Sequence, residues 1–279
     1  MILVTGANGQ LGQCIAKRID KDNVIFADRE TLDITNRENV LGFVRDNNID
    51  TIINCAAYTA VDKAESEPEI AKKINTDGPA NLATTGTKII HVSTDYVFDG
   101  KNSTPYTTDD KTNPVSVYGK TKRDGEIAIE QTASAYAIIR TQWLYSEFGK
   151  NFAKTMINLG TQRASTNTPL NVVADQVGTP TYAGDLADAI IKIIPQLTRE
   201  NSGIYHFSNE GVCSWYDFAH EIMDIKDIKC TVNPIPTSAY PTPATRPHYS
   251  VLDKSKIKQV FDIKINHWKE SLKQCLKQY

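Results

Sequence analysis

Cysteine is sparse in this 279-residue chain, and the few present do not cluster. Cys14, Cys55, Cys213, Cys230 and Cys275 are scattered and odd in number, which argues against a disulfide framework or a C-x-x-C site. The five histidines form no ligand-spaced group, so no structural metal is expected. An excess of charge is also missing: 31 Lys and Arg against 33 Asp and Glu leave a formal net charge of −2, unlike a nucleic-acid-binding surface. No apolar run approaches the length of a membrane span, and there are no internal repeats or low-complexity segments. The opening MILVTG is a short strand running into glycines, without the layout of a signal peptide. These absences leave a cytoplasmic globular protein with reduced thiols and no membrane or nucleic-acid partner. Its 40% hydrophobic and 23% charged residues are ordinary for that class.

What is present is a rhythm. Short apolar or β-branched runs at Ile2–Thr5, Asn23–Ala27, Thr51–Asn54 and Lys88–Val92 suit buried parallel strands. Helical stretches fill the gaps at Gln10–Ile19, Asn36–Asn47 and Glu69–Ala83, and a helix at Val117–Gln131 precedes a strand at Ala135–Arg140. The fold expected is α/β, a doubly wound parallel sheet of Rossmann type, with a smaller C-terminal α/β domain. The dinucleotide-binding part is placed at residues 1–145. Residues 146–279 are placed mainly in the substrate-binding part, with some segments returning to the first. In that second half the sequence predicts strands at Leu170–Val173 and Ile204–Phe207. Helices are predicted at Tyr182–Ile194, Ser214–Met223 and His267–Gln278, the last after a Pro-rich stretch at Asn233–Pro247.

The first turn carries chemistry. In MILVTGANGQLG, Gly6, Gly9 and Gly12 follow a strand and open a helix, a G-x-x-G-x-x-G spacing that admits a pyrophosphate over the helix N-terminus. The second strand ends in Asp28-Arg29. The carboxylate favours a free ribose 2′-hydroxyl and the guanidinium a 2′-phosphate, so both NADH and NADPH stay open. Asp33-Ile34 follows, to flank the adenine or cap the next helix. After the third strand, small residues in Cys55-Ala56-Ala57-Tyr58-Thr59 leave room for a ligand at the strand's carboxyl end.

In SVYGKTK, Tyr118 and Lys122 stand four residues apart, on one face of a helix. Carbonyl reduction needs a proton donor near the developing alkoxide. A phenol keeps its proton at neutral pH, and an adjacent ammonium eases its release. Ser93, Thr94 and Asp95 end the preceding strand and bring a hydroxyl to the same crevice. Tyr-x-x-x-Lys alone occurs in many helices; four preceding βα units and a dinucleotide loop give it weight here.

The motifs GANGQLG (Gly6–Gly12), NCAAYTAVDKAE (Asn54–Glu65), STDYVFDG (Ser93–Gly100), NPVSVYGKTK (Asn113–Lys122), RTQWLY (Arg140–Tyr145) and YPTPATRPHYSVLD (Tyr240–Asp253) occur in order. With them the chain resembles the extended short-chain dehydrogenase/reductase family over essentially its whole length, and within it the reductases of nucleotide-linked 4-keto-6-deoxyhexoses. The resemblance implies reduction of a C4 ketone by NADPH or NADH, with no metal required by the chemistry. It implies Tyr118 as catalytic acid, Lys122 as its cofactor-binding partner and Thr94 as the hydroxyl on the sugar carbonyl. Gly6, Gly9, Gln10, Leu11, Gly12, Asp28, Arg29, Asp33, Ile34, Ala56, Ala57, Tyr58, Thr59 and Ser93 form the expected cofactor side. Asp95, Tyr96 and Trp143 are expected at the sugar. A tryptophan after a strand is also ordinary packing, although its flat face suits a sugar ring. Asn151 and Lys154 are candidates for the diphosphate or the nucleoside of the nucleotide sugar, and Arg246, between Pro243 and Pro247, for its diphosphate.

Two departures from the family stand out. Between Asn75 and Gly86 the chain is about one helical turn short, leaving only Thr84–Thr87 to reach the fourth strand. Some relatives resemble dimers bridged by a metal between glutamates; Cys14 and Gly184 occupy two of those acidic positions, so a monomer is preferred. Rival readings are another nucleotide-sugar reductase or epimerase on this scaffold and a non-catalytic regulatory subunit. Intact Tyr118, Lys122 and Thr94 weigh against the last.

Overall fold

Six of the seven runs read as strands assemble into one sheet because each is largely apolar on both faces and needs cover on both; Leu170–Val173 pairs elsewhere. The structure, a computed structural model, describes residues Met1–Tyr279. The first five strands are β1 (Ile2–Thr5), β2 (Val24–Ala27), β3 (Thr51–Asn54), β4 (Lys88–Thr94) and β5 (Ala135–Thr141). Short strands follow: β6 (Leu144–Tyr145), β7 (Leu170–Val173), β8 (Val177–Gly178), β9 (Thr181–Tyr182), β10 (Gly203–His206), β11 (Cys213–Ser214) and β12 (Val232–Ile235). Six of them form a parallel sheet in the order β10-β5-β4-β3-β1-β2. Strand order reverses between β1 and β3, and open α/β sheets bind ligands at such a switch point.

The helices are α1 (Gln10–Ala16), α2 (Arg37–Asp46), α3 (Val61–Ala64), α4 (Pro68–Lys72), α5 (Gly78–Ala83) and α6 (Val117–Thr132). Then come α7 (Phe152–Ser165), α8 (Ala183–Ile193), α9 (Trp215–Ile225), α10 (Ser255–Phe261) and α11 (Trp268–Leu276). One core joins the sheet to α1, α8 and α10 through residues such as Val4, Ile15, Ile139, Ile190 and Phe261. A second lies on the opposite face around Leu3, Val40, Leu82 and Ile129. A third, around Tyr145, Met156, Phe218 and Leu272, holds α7, α9 and α11 together. Strand β10, from the second half of the chain, extends the first half's sheet beside β5. No helix is long and apolar enough to cross a membrane.

The single helix expected at Glu69–Ala83 is broken. A π turn at Lys73–Asp77 separates α4 from α5. Pro79 has no N–H to give the carbonyl four residues back, that of Asn75, and that carbonyl lies hard against α6, 2.1 Å from where a Cβ on Gly125 would stand. The shortened connection to β4 closes nonetheless: Thr85 Oγ1 donates to the Leu82 carbonyl at 2.7 Å and Gly86 turns at φ +76°. Strand β12, the two-residue strands and helices α3, α7 and α10 are not among the elements that the sequence predicts. Pro234 sits within β12, which is tolerable because that strand pairs only with β7.

Candidate active site

At the β1/β3 switch point a cleft of about 960 Å³ opens along the carboxyl ends of the sheet. Its floor depends on Gly6, at φ +67°, where a Cβ would come within 2.6 Å of the Ala56 nitrogen. Beyond it, Gly9, Gln10, Leu11 and Gly12 line the cleft, and no side chain caps the start of α1. The first-turn amides are therefore available to an anion. This cradle fits the pyrophosphate of a dinucleotide. Asp28, Arg29, Asp33 and Ile34 line the cleft farther along, as do Ala56, Ala57 and Thr59 across from them. The Asp28 carboxylate is already occupied: Oδ1 accepts from Thr31 N and Oγ1 at 2.9 and 2.8 Å, and Oδ2 from Asn8 Nδ2 at 2.9 Å. Hydrogen bonds from Thr31 hold it below the ordinary aspartate range.

The other end of the cleft is built by β4 and α6. Ser116 caps α6 by accepting from the Gly119 amide at 3.1 Å, and Tyr118 and Lys122 follow on the buried face. Gly119 is required because a Cβ would stand 2.2 Å from the Tyr96 carbonyl, so α6 approaches the chain after β4 closely. That approach brings Tyr118, Lys122, Ser93, Thr94, Asp95 and Tyr96 to one wall. Thr94 Oγ1 accepts from Tyr96 N at 3.2 Å and donates to Asp95 Oδ1 at 3.0 Å. Burial pushes the Tyr118 phenol up to about 12, against a lowering influence from the Thr94 hydroxyl. Burial brings Lys122 down to about 8, opposed by the Glu126 carboxylate and Cys55. Its Nζ donates to the Val92 carbonyl at 2.7 Å. Behind this wall, Glu126 takes Arg140 at 2.9 and 2.8 Å and the Ser93 hydroxyl, tying α6 to β4 and β5.

Trp143 lines the cleft from the turn after β5, in the left-handed region at φ +49°. Its indole stacks on Trp215 with ring centroids 3.6 Å apart and planes 14° from parallel. Phe152 packs against Trp215 in turn, 4.6 Å between centroids, so α7 and α9 fix the tryptophan's orientation.

The chain matches the RmlD substrate binding domain family over residues 1–279. A dTDP-4-dehydrorhamnose reductase of Aggregatibacter actinomycetemcomitans is 42% identical, the match covering 98% of this chain and 97% of that protein. The crystal structure of a dTDP-4-dehydrorhamnose reductase from Clostridium acetobutylicum is 46% identical, with a TM-score of 0.93 and coverage of 99% and 98%. One from Bacillus anthracis, in complex with NADP, is 37% identical, with a TM-score of 0.94 and coverage of 100% and 99%. The chain belongs to the dTDP-4-dehydrorhamnose reductase family. The resemblance read from its motifs and the Rossmann-type fold are both borne out.

Three of the residues expected in this family's site do not line the cleft. Tyr58 turns its hydroxyl onto Glu67, while its backbone N–H donates to Asn75 Oδ1 at 2.8 Å. Lys154 Nζ donates to the Glu147 carbonyl at 2.6 Å. Arg246 forks onto Asp62 at 2.8 and 2.7 Å, the nearest counter-charge on α3. Asn151 does line the cleft, but its amide ties Gln10 Oε1 (3.0 Å) to the Ser146 carbonyl (2.7 Å), and its Oδ1 caps α7. Cys14 is fully buried in the core, and a Cβ on Gly184 would meet Arg18 at 2.3 Å and Tyr182 at 2.4 Å.

Sequence reasoning missed Asn8, Lys73, Gln142 and Lys150, all of which line the cleft. It also missed Asn54 and His91, neighbours in register on β3 and β4 and each 0% exposed. A signal existed: each is a lone amide or imidazole following an Ile-Ile pair in a buried strand.

Proposed function

We propose that the chain reduces the C4 ketone of dTDP-4-dehydro-β-L-rhamnose to give dTDP-L-rhamnose, with NADPH or NADH as reductant and Tyr118 as proton donor. The observation carrying this reading is the convergence of the glycine cradle, Thr94, Tyr118 and Lys122 on one cleft at the β1/β3 switch point. When bound, the nicotinamide cofactor supplies hydride to the carbonyl carbon. Tyr118 keeps its proton at neutral pH and gives it to the carbonyl oxygen as negative charge develops there. Thr94 orients that oxygen beside the phenol by turning its O–H from Asp95 Oδ1 to the carbonyl when substrate binds. Lys122, one turn away, stabilises the phenolate left behind when it carries its charge. Trp143 packs on the deoxysugar, held by Trp215. Residues 1–145 carry most of the cofactor side, and residues 146–279 cover the nucleotide-sugar side while returning β10 to the sheet. The five unpaired cysteines suit work in the cytoplasm, and buried Cys14 and Gly184 favour a monomer over a metal-bridged dimer.

Cofactor oxidation followed with dTDP- and UDP-linked 4-keto-6-deoxyhexoses, with product stereochemistry read by NMR, tests the proposal. Turnover of the dTDP sugar to the L-rhamno product is expected. Turnover of the UDP sugar alone, or an epimerised ketone with no net cofactor oxidation, would overturn it.

A further inference from the structure

Beneath the cleft a line of polar groups crosses the sheet where apolar side chains would be expected. Thr5 on β1, Asn54 on β3, His91 on β4 and Lys122 on α6 are each no more than 1% exposed. Thr5 Oγ1 donates to Asn54 Oδ1 at 2.7 Å, and the Ala56 amide donates to the same oxygen at 3.1 Å. Asn54 Nδ2 lies 2.9 Å from His91 Nδ1, and His91 Nε2 lies 3.3 Å from Lys122 Nζ.

The direction of every hydrogen bond in this line follows from one end. A backbone amide can only donate, so the Asn54 atom facing Ala56 must be its oxygen. The atom facing His91 is then the NH₂ group, which also only donates. His91 Nδ1 must accept, the imidazole is neutral, and its single proton sits on Nε2. That N–H points at Lys122 Nζ. A neutral amine would accept it while donating to the Val92 carbonyl at 2.7 Å, and every group would be matched. An ammonium would instead set two donors face to face in a buried site, and unmatched buried donors are costly.

We infer that His91 is a positioning residue for this reaction: fixed by Asn54 with its proton on Nε2, it turns an N–H toward Lys122 and disfavours the ammonium. The inference rests on the reading that charged Lys122 assists Tyr118. Other groups facing the lysine are Glu126 and Tyr118 on its own helix and Cys55 beyond β3. Glu126 favours the ammonium, but its carboxylate is already bonded to Arg140, Ser93 and Arg123. Burial keeps the Cys55 thiol and the Tyr118 phenol protonated, each up at about 12. Lys122 is the charged group facing His91. His91 thereby adds to burial in lowering the pH at which the lysine loses its charge, and with it the alkaline limit of reduction.

The test combines imidazole NMR with pH profiles. In the ¹⁵N-labelled protein, His91 should show a protonated Nε2 and an unprotonated Nδ1. Asn54→Asp keeps the acceptor for Thr5 and Ala56 but replaces the NH₂ by oxygen, so the His91 proton should move to Nδ1 and present a lone pair to Lys122. The alkaline limb of kcat/KM should then rise by about one pH unit or more. His91→Phe removes the N–H without adding charge and should move the limb in the same direction. Thermal unfolding and cofactor titration at pH 6 check that each variant is folded. A wild-type His91 protonated on Nδ1, or a limb unmoved in whichever folded variant is measured, would overturn the inference. If the dTDP sugar is not turned over at all, the proposed substrate fails. The tautomer and the ¹⁵Nζ titration of Lys122 in wild type and His91→Phe then still decide this inference.

Discussion

Arg246 and Asp62, 184 positions apart in the chain, form a two-pronged ion pair with both contacts under 3 Å. The pair fastens the Pro-braced loop after β12 to α3, whose first residue, Val61, lines the cleft. The Ala244 amide adds a bond to the same carboxylate at 3.2 Å. Both partners are only partly buried, so the pair's value lies in holding two segments together more than in stability.

The guanidinium is engaged in this way, so its effect on the nucleotide sugar is expected to pass through the loop. Arg246→Ala and Asp62→Ala should each raise the nucleotide-sugar KM by roughly tenfold, and the double mutant should be little worse than either. Cofactor affinity should hardly move. Calorimetric titration of both ligands into all three variants checks this. A larger loss in Arg246→Ala than in Asp62→Ala would mean that the arginine leaves Asp62 to meet the diphosphate directly.

Tyr118→Phe deletes one hydroxyl from a buried ring that packs edge-on against Tyr96, so the fold should survive. As loss of a placed general acid, it should lower kcat at least ~100-fold. Lys122→Ala should weaken cofactor binding and turnover together. Steady-state kinetics with cofactor titration by fluorescence reads both, and near wild-type kcat in Tyr118→Phe would remove the tyrosine from the mechanism.

How much of this was legible in the sequence divides along physical lines. Strands β1, β3 and β7 were readable to the residue, because unbroken apolar runs between turn residues admit one interpretation. The glycine cradle and the Tyr118–Lys122 pair were readable because their spacing fixes their geometry. The π turn at Lys73–Asp77 was not, since it arises from Pro79 meeting the close packing of α6, a tertiary fact. Arg246 was legible as a charged residue on a stiff loop, but its partner lies far away in sequence and no spacing announces it. Asn54 and His91 announced themselves only as polar residues out of place.

Cofactor preference should turn on Asp28 and Arg29. Asp28 is held by Thr31 and Asn8 as a carboxylate in the cleft, where it repels a 2′-phosphate, while Arg29 beside it is exposed and able to meet one. Asp28→Ala should shift the ratio of kcat/KM toward NADPH, and Arg29→Ala toward NADH by roughly tenfold, the loss of one charge-assisted contact. Ratios that stay fixed in both variants would place the adenosine ribose away from these side chains.

Asp95 offers a test through stability. It is buried beside Thr94 with Oδ2 unpartnered, and burial raises its pKa from the ordinary value of 3.8 to about 7. The folded chain therefore holds this proton more tightly than the unfolded chain does. Its favourable contribution is full below the unfolded value of 3.8 and is lost progressively as pH rises through about 7, where an uncompensated carboxylate must be carried in the interior. Asp95→Asn keeps the shape and cannot ionise. Its stability relative to the wild type should therefore grow between about pH 5 and pH 8, by on the order of 2–4 kcal/mol. Melting temperatures of the two proteins at half-unit steps of pH across that window measure the difference directly. A gap that is flat with pH would mean that folding leaves the Asp95 pKa unshifted, and one that narrows upward that the folded chain stabilises its carboxylate; either would leave it ionised at neutral pH.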